Sequence, residues 1–146
     1  MLRLDPLAFL RNPRNKKTVT VPSETRYIRK VSTRILDALA GFALDEGRVF
    51  DVRLCVEEAV RNAIVHGNHS DRRLSVRVTY WIEDSKLFIE VEDEGSGYDH
   101  NALADPTTGA HITKNSGRGV YLIKKLMDRV SYNDTGNRIM MVKNLS

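Results

Sequence analysis

From Lys17 to Val21 polar and apolar residues alternate, the signature of a short strand, and Pro22-Ser23 then supplies a stop and a helix N-cap. Ile28, Val31, Ile35, Leu39 and Phe42 follow at spacings of three and four, which predicts an amphipathic helix ending near Gly41. A second helix is predicted from about Asp45 to His66, because Val52, Val56, Ala59, Val60 and Ala63 form a stripe that Gly67-Asn68 terminates. Alternation returns at Leu74, Val76, Val78, Tyr80 and Ile82 and resumes after Glu83-Asp84-Ser85 at Leu87, Ile89 and Val91, as in an antiparallel hairpin. The stretch from Asp93 to Gly119 is rich in Gly, Asn, Asp, Thr and Pro and has no period. A loop of that length in a compact domain is usually functional, and a lid over a ligand would be one use. A third helix turns Val120, Ile123, Leu126 and Met127 inward, and a last hairpin runs from about Arg129 to Lys143, turning at Thr135-Gly136-Asn137.

These elements predict an α+β fold: a two-layer sandwich with three helices on one face of a largely antiparallel mixed sheet. The helices do not alternate one-for-one with strands, which disfavours a doubly wound parallel sheet. Residues 1–15 hold Pro6 and Pro13 and read as an irregular arm, leaving 16–146 as the folded domain.

Composition narrows the class. A chain of 146 residues with 41% hydrophobic content suits one domain with its own core. No stretch approaches the ~18 apolar residues of a membrane span, and Met1-Leu2-Arg3-Leu4-Asp5 is charged where a signal peptide is apolar, so a cytoplasmic protein is expected. Cys55 is the single cysteine, which excludes an internal disulfide and places the residue at a buried helix position. The net charge of +4 is a modest excess, and direct nucleic-acid binding through the basic arm is not the expected use. Trp81, on the polar-alternation side of its strand, is expected to be a packed surface aromatic.

Three clusters carry the candidate chemistry: Glu58-Ala-Val-Arg-Asn62-Ala-Ile-Val-His66-Gly67-Asn68, Asp93-Glu-Gly95-Ser-Gly97 and Ser116-Gly117-Arg118-Gly119. Each alone is common, as a solvated helix face or a tight turn, but each lies at the end of an element and together they supply the parts of a nucleotide site. Glu58, Asn62 and His66 stand at i, i+4, i+8 on one line of the second helix. Asn62 offers a neutral oxygen to a hard cation such as Mg²⁺, and Glu58 is placed to take a proton from an attacking hydroxyl or water. Asp93 at a strand end suits an exocyclic amine, which favours adenine. The glycines allow close backbone approach, and the start of the third helix is an anion site for phosphate.

The order Glu-x-x-x-Asn, Asp-x-Gly-x-Gly, Gly-x-Gly resembles the N, G1 and G2 boxes of the ATPase superfamily shared by gyrase, histidine kinases, MutL and heat-shock chaperones, over about residues 17–144. Within it, the Glu58–Asn68 run and Gly119-Val-Tyr-Leu-Ile-Lys-Lys-Leu-Met127-Asp128 are most similar to anti-sigma-factor serine/threonine kinases. The resemblance implies ATP or ADP with Mg²⁺, Asn62 as metal ligand, Glu58 as catalytic base and Asp93 as adenine-binding acid. It implies that Gly95, Gly97, Gly117 and Gly119 surround the nucleotide and the lid hinges; Gly67 is expected to line the pocket, and His66 to cap the helix end or line the pocket. It further implies a homodimer that holds a sigma factor inactive and phosphorylates a serine on a STAS-type anti-anti-sigma partner. Family lids often carry an Arg before Ser-Gly-x-Gly where this chain has Asn115, flanked by Lys114 and Arg118, either of which could take its place. The alternative is a non-catalytic ATP-binding module that switches partners by lid closure. A detached histidine-kinase domain is disfavoured, since no helical hairpin with a phosphorylatable His lies upstream.

Overall fold

The computed structural model describes residues 15–95 and 115–146, with residues 115–118 as backbone only. The element order is β1 (Lys17–Pro22), α1 (Ile28–Ala38), α2 (Glu46–Asn62), β2 (Ser75–Glu83), β3 (Lys86–Glu92), α3 (Asn115–Leu126), β4 (Arg129–Tyr132) and β5 (Arg138–Asn144). The strands form one sheet in the order β1-β2-β3-β5-β4. All four pairings are antiparallel, so the parallel component allowed by a mixed sheet is absent among the described residues.

Period-two patterning sets the layers. Val76, Val78 and Tyr80 of β2, Leu87, Ile89 and Val91 of β3, and Ile139 and Met141 of β5 join one core with Val31 and Ile35 of α1, Val52, Val56 and Val60 of α2, and Ile123 of α3. The two-residue turn between β2 and β3 puts Asp84 and Ser85 at φ 52° and 57°, the left-handed pair that matches strand twist in a tight hairpin. Lys143 of β5 donates to the carbonyl of Leu126 at 2.6 Å, placing a cation where the dipole of α3 ends. Cys55 is buried on α2; its thiol is pushed up to about 12, first by burial and then by the charge of Asp51. Among the described residues, no helix is long and apolar enough to cross a membrane.

Three expected boundaries move. Ser23 does not cap α1: its hydroxyl donates to the Leu74 carbonyl at 2.7 Å and accepts from Asn68 Nδ2, and the helix opens instead through a 3₁₀ turn at Thr25–Tyr27. Helix α1 stops at Ala38 rather than near Gly41, because the N–H groups of Leu39 and Ala40 tighten onto the carbonyls of Leu36 and Asp37. Phe42 thereby leaves the apolar stripe and is 37% exposed. At the other end of the domain, α3 begins at Asn115, so Ser116 to Gly119 belong to the helix and not to the loop before it.

Candidate functional site

Helix α2 is capped by Asp45, whose side chain accepts from Arg48 N at 2.8 Å, and it ends in a π turn at Ala63–Gly67. The Asn68 N–H reaches back five residues to the Ala63 carbonyl at 2.8 Å, and this wider turn fixes how the strand layer meets the helix end. Asn68 is almost wholly buried, with its amide group fully engaged. Its Nδ2 donates to Ser23 Oγ at 2.8 Å and the Ser75 carbonyl at 3.0 Å, while Oδ1 accepts from Glu94 N at 2.9 Å. One side chain thus fastens the β1–α1 corner, the start of β2 and the loop after β3.

That loop lies directly on the helix end. A Cβ on Gly67 would collide with the carboxyl group of Asp93, and a Cβ on Gly95 would collide with the carbonyl of Gly67. The Gly95 N–H donates to Asp93 Oδ1 at 2.9 Å, which orients the carboxyl group over Gly67. From the opposite side, Asp93 N donates to the Asn137 carbonyl at 2.9 Å and Asn137 Nδ2 donates to the Asp93 carbonyl at 3.2 Å. Asn137 Oδ1 in turn accepts from Asn133 Nδ2 at 2.6 Å and Thr135 Oγ1 at 2.7 Å, so the β4–β5 turn clamps the backbone of Asp93.

Between α2, β3, α3 and this turn lies a cavity with apolar walls from Ala59, Ala63, Val91 and Ile139, Asn62 on the helix side and Asp93 and Asn137 on the strand side. Asn62 is 8% exposed and Asp93 6%. Next to Asn62 the start of α3 approaches closely: a Cβ on Gly119 would lie 2.7 Å from Glu58 Oε2 and 3.3 Å from Asn62 Nδ2. Glu58 and Asn62, one turn apart on α2, therefore converge on the backbone of Gly119, while Asp93 and Gly67 meet at the other end. The expected line of three ends at Asn62, however. The π turn intervenes before His66, which is outside the cavity lining, and burial, with the charge of His69, holds its imidazole below the ordinary value. Gly97 and Lys114 lie outside the described residues, and Gly117 and Arg118 are placed as helical backbone in the first turn of α3.

The carboxyl group of Asp93 is pushed up to about 6, chiefly by burial, with the Gly95 N–H opposing and the charge of Glu92 adding. A folded value above the ordinary 3.8 means that ionisation costs the fold: the cost is fully present above about pH 6 and disappears as pH falls through 6 toward 4. Asp93→Asn keeps an acceptor for the Gly95 N–H and removes the charge. It is expected to melt a few degrees above the parent at pH 7.5, with the difference gone by about pH 4, as followed by circular dichroism.

Of the expected site residues the structure brings Glu58, Asn62 and Gly119 together, and Gly67, Asp93 and Gly95, and it adds Asn137 beside Asp93, a residue that shows in the sequence only as part of a turn. Comparison with known proteins gives one picture. Residues 21–143 match the family described as the histidine kinase-like ATPase domain. The chain is 28% identical over 138 residues to a serine-protein kinase RsbW of Listeria monocytogenes, covering 88% of this chain and 87% of that kinase. It is 27% identical over 135 residues to the serine-protein kinase RsbW of Bacillus subtilis, covering 86% and 83%. The crystal structure of the RsbU and RsbW domains of Rv1364c from Mycobacterium tuberculosis superposes with a TM-score of 0.62 at 19% identity; the match covers 92% of this chain but 34% of that one and speaks to the fold alone.

Proposed function

The chain belongs to the histidine kinase-like ATPase domain family, and from that premise we propose that it is an ATP-dependent serine-protein kinase of the anti-sigma type. The observation that carries this reading is the convergence of Glu58 and Asn62 on the side-chain-free backbone of Gly119, beside a cavity that Asn62 and Asp93 both line. Ala59, Ala63, Val91 and Ile139 would supply apolar walls for a flat heteroaromatic ring to pack against. Asp93 accepts from the 6-amino group, where guanine carries a carbonyl oxygen that a carboxylate repels, so adenine is taken in preference to guanine. The clamp from Asn137 and the stacked glycines Gly67 and Gly95 hold that carboxylate in place.

At the other end the residues suit Mg·ATP. Asn62 would hold Mg²⁺ through its amide oxygen, and the bound ion neutralises phosphate charge. The first-turn N–H groups of α3, kept open by Gly117 and Gly119, receive phosphate oxygens, and Lys114 or Arg118 adds positive charge. Glu58 accepts the proton of the attacking serine hydroxyl. Gly95 and Gly97 on one side and Gly117 and Gly119 on the other are the hinges of a lid. The protein substrate is a serine on a STAS-type partner, and the second partner is a sigma factor held inactive by a homodimer of this chain.

Calorimetric titration tests the nucleotide site. ATP and ADP are expected to bind with Mg²⁺ and GTP is not, and Asn62→Ala is expected to weaken Mg·ATP by about tenfold or more and remove the Mg²⁺ dependence. Equal binding of GTP would refute the role of Asp93, and Mg²⁺-independent binding by the parent would refute that of Asn62.

A further inference from the structure

The outer faces of the first two helices differ. On α1 the exposed residues are all polar: Arg29, Lys30, Thr33, Arg34 and Asp37. On α2, Phe50 is 62% exposed, the most open large apolar side chain among the described residues. Leu54, one turn further on, is half-buried yet stands outside the core. Phe50, Leu54 and Glu58 are spaced i, i+4, i+8, so the two apolar side chains run along the helix surface toward the carboxylate that converges on Gly119. A single exposed apolar residue needs no explanation, but two in line with a candidate base do. The nucleotide cavity takes its α2 residues from Ala59, Asn62 and Ala63, so Phe50 and Leu54 lie outside it. On the α1 side, Glu57 accepts from Ser32 Oγ at 2.7 Å and lies 3.6 Å from Arg53 Nη1, so its charge is engaged within the helical layer.

A helix rises about 1.5 Å per residue, which sets Leu54 roughly 6 Å and Phe50 roughly 12 Å from Glu58 along the axis. A protein whose serine hydroxyl reaches Glu58 covers far more than that point. The standard footprint of about 800 Å² per partner is a disc roughly 16 Å in radius, and Phe50 falls inside it. Aromatic side chains are enriched in the cores of such footprints, whereas a small phosphate acceptor would have no use for one so far from the base. Resting on the kinase reading, we propose that Phe50 and Leu54 form the docking contact for the serine-bearing protein substrate. That substrate seats a large apolar side chain on them, on the order of 12 Å from its phosphorylated serine.

The probe is the protein that this chain labels with γ-phosphate in a lysate of the source organism, identified by mass spectrometry of the labelled band and then purified. Initial rates of its phosphorylation are measured against its concentration for the parent, Phe50→Ser and Phe50→Leu, with calorimetric titration of Mg·ATP and light-scattering mass for each. Phe50→Ser is expected to raise KM for the protein substrate by about tenfold, with kcat and Mg·ATP affinity within about twofold of the parent's, and Phe50→Leu to keep most of the parent's KM. An unchanged KM in Phe50→Ser would overturn the docking contact while leaving the kinase reading intact. A fall in kcat or in Mg·ATP affinity at unchanged KM would assign Phe50 to the chain's own nucleotide site, and a lower mass in Phe50→Ser would assign it to contact with a second copy; either overturns the proposal. A parent that labels no protein would overturn the kinase reading and the docking contact together.

Discussion

Gly67→Ala is expected to weaken ATP binding by about 100-fold or more, roughly 2.7 kcal/mol, while the domain stays folded. The added methyl group would occupy the volume of the Asp93 carboxyl group. The side chain of Asp93 is short and tethered to the Gly95 N–H, and Asn137 holds its backbone on the other side, so the carboxyl group has no small adjustment that keeps it at the end of the cavity. It must rotate away, and the acceptor for the base leaves with it. The atoms the methyl group meets first all belong to the Asp93 side chain, so the fold is expected to survive. Titration of ATP into the variant, with circular dichroism as the fold control, reads both halves of the expectation; ATP affinity equal to the parent's would show that Asp93 does not hold the base.

Glu58→Gln should do the reverse. Nucleotide affinity is expected to stay within a small factor of the parent's while the rate of phosphoryl transfer falls by about 10² to 10⁴, the range for loss of a positioned general base. The amide is the same size and keeps the packing against Gly119, so binding and chemistry separate. Gly119→Ala provides a graded companion. Its Cβ would lie 2.7 Å from Glu58 Oε2, the far end of a flexible side chain, so Glu58 can swing aside and the fold survives. A partial loss of rate with intact stability is expected, measured by single-turnover kinetics on the same partner. A Glu58→Gln variant as fast as the parent would remove the catalytic assignment.

Where side-chain period and local spacing carry the information, the sequence was a sufficient guide. The stripe of Val52, Val56, Ala59, Val60 and Ala63 and the alternations of β2 and β3 lead straight to the core, and Glu58 and Asn62 at i, i+4 lead straight to one face of α2. Contacts between distant segments were not legible in this way. Nothing local to Ser23 announces that its hydroxyl serves Leu74 and Asn68 instead of α1, and nothing local to Asn137 announces a backbone clamp on a residue 44 positions away. The π turn that separates His66 from Asn62 leaves no mark in a hydrophobic pattern, because one extra residue at a helix end does not disturb the stripe before it. Trp81 lay between these cases: alternation put it on the face away from the helices as a packed aromatic, and it stacks on Phe88 there, but its low exposure was not legible in the pattern.

The most direct test of the central claim is transfer of labelled γ-phosphate from Mg·ATP to proteins in a lysate of the source organism, with the parent chain and Glu58→Ala run side by side. The expected result is one acid-stable labelled band, the size of a small single domain, that disappears with the variant. No labelled band at saturating ATP, with nucleotide binding intact in a parallel titration, would contradict the kinase assignment and leave a nucleotide-gated binding module.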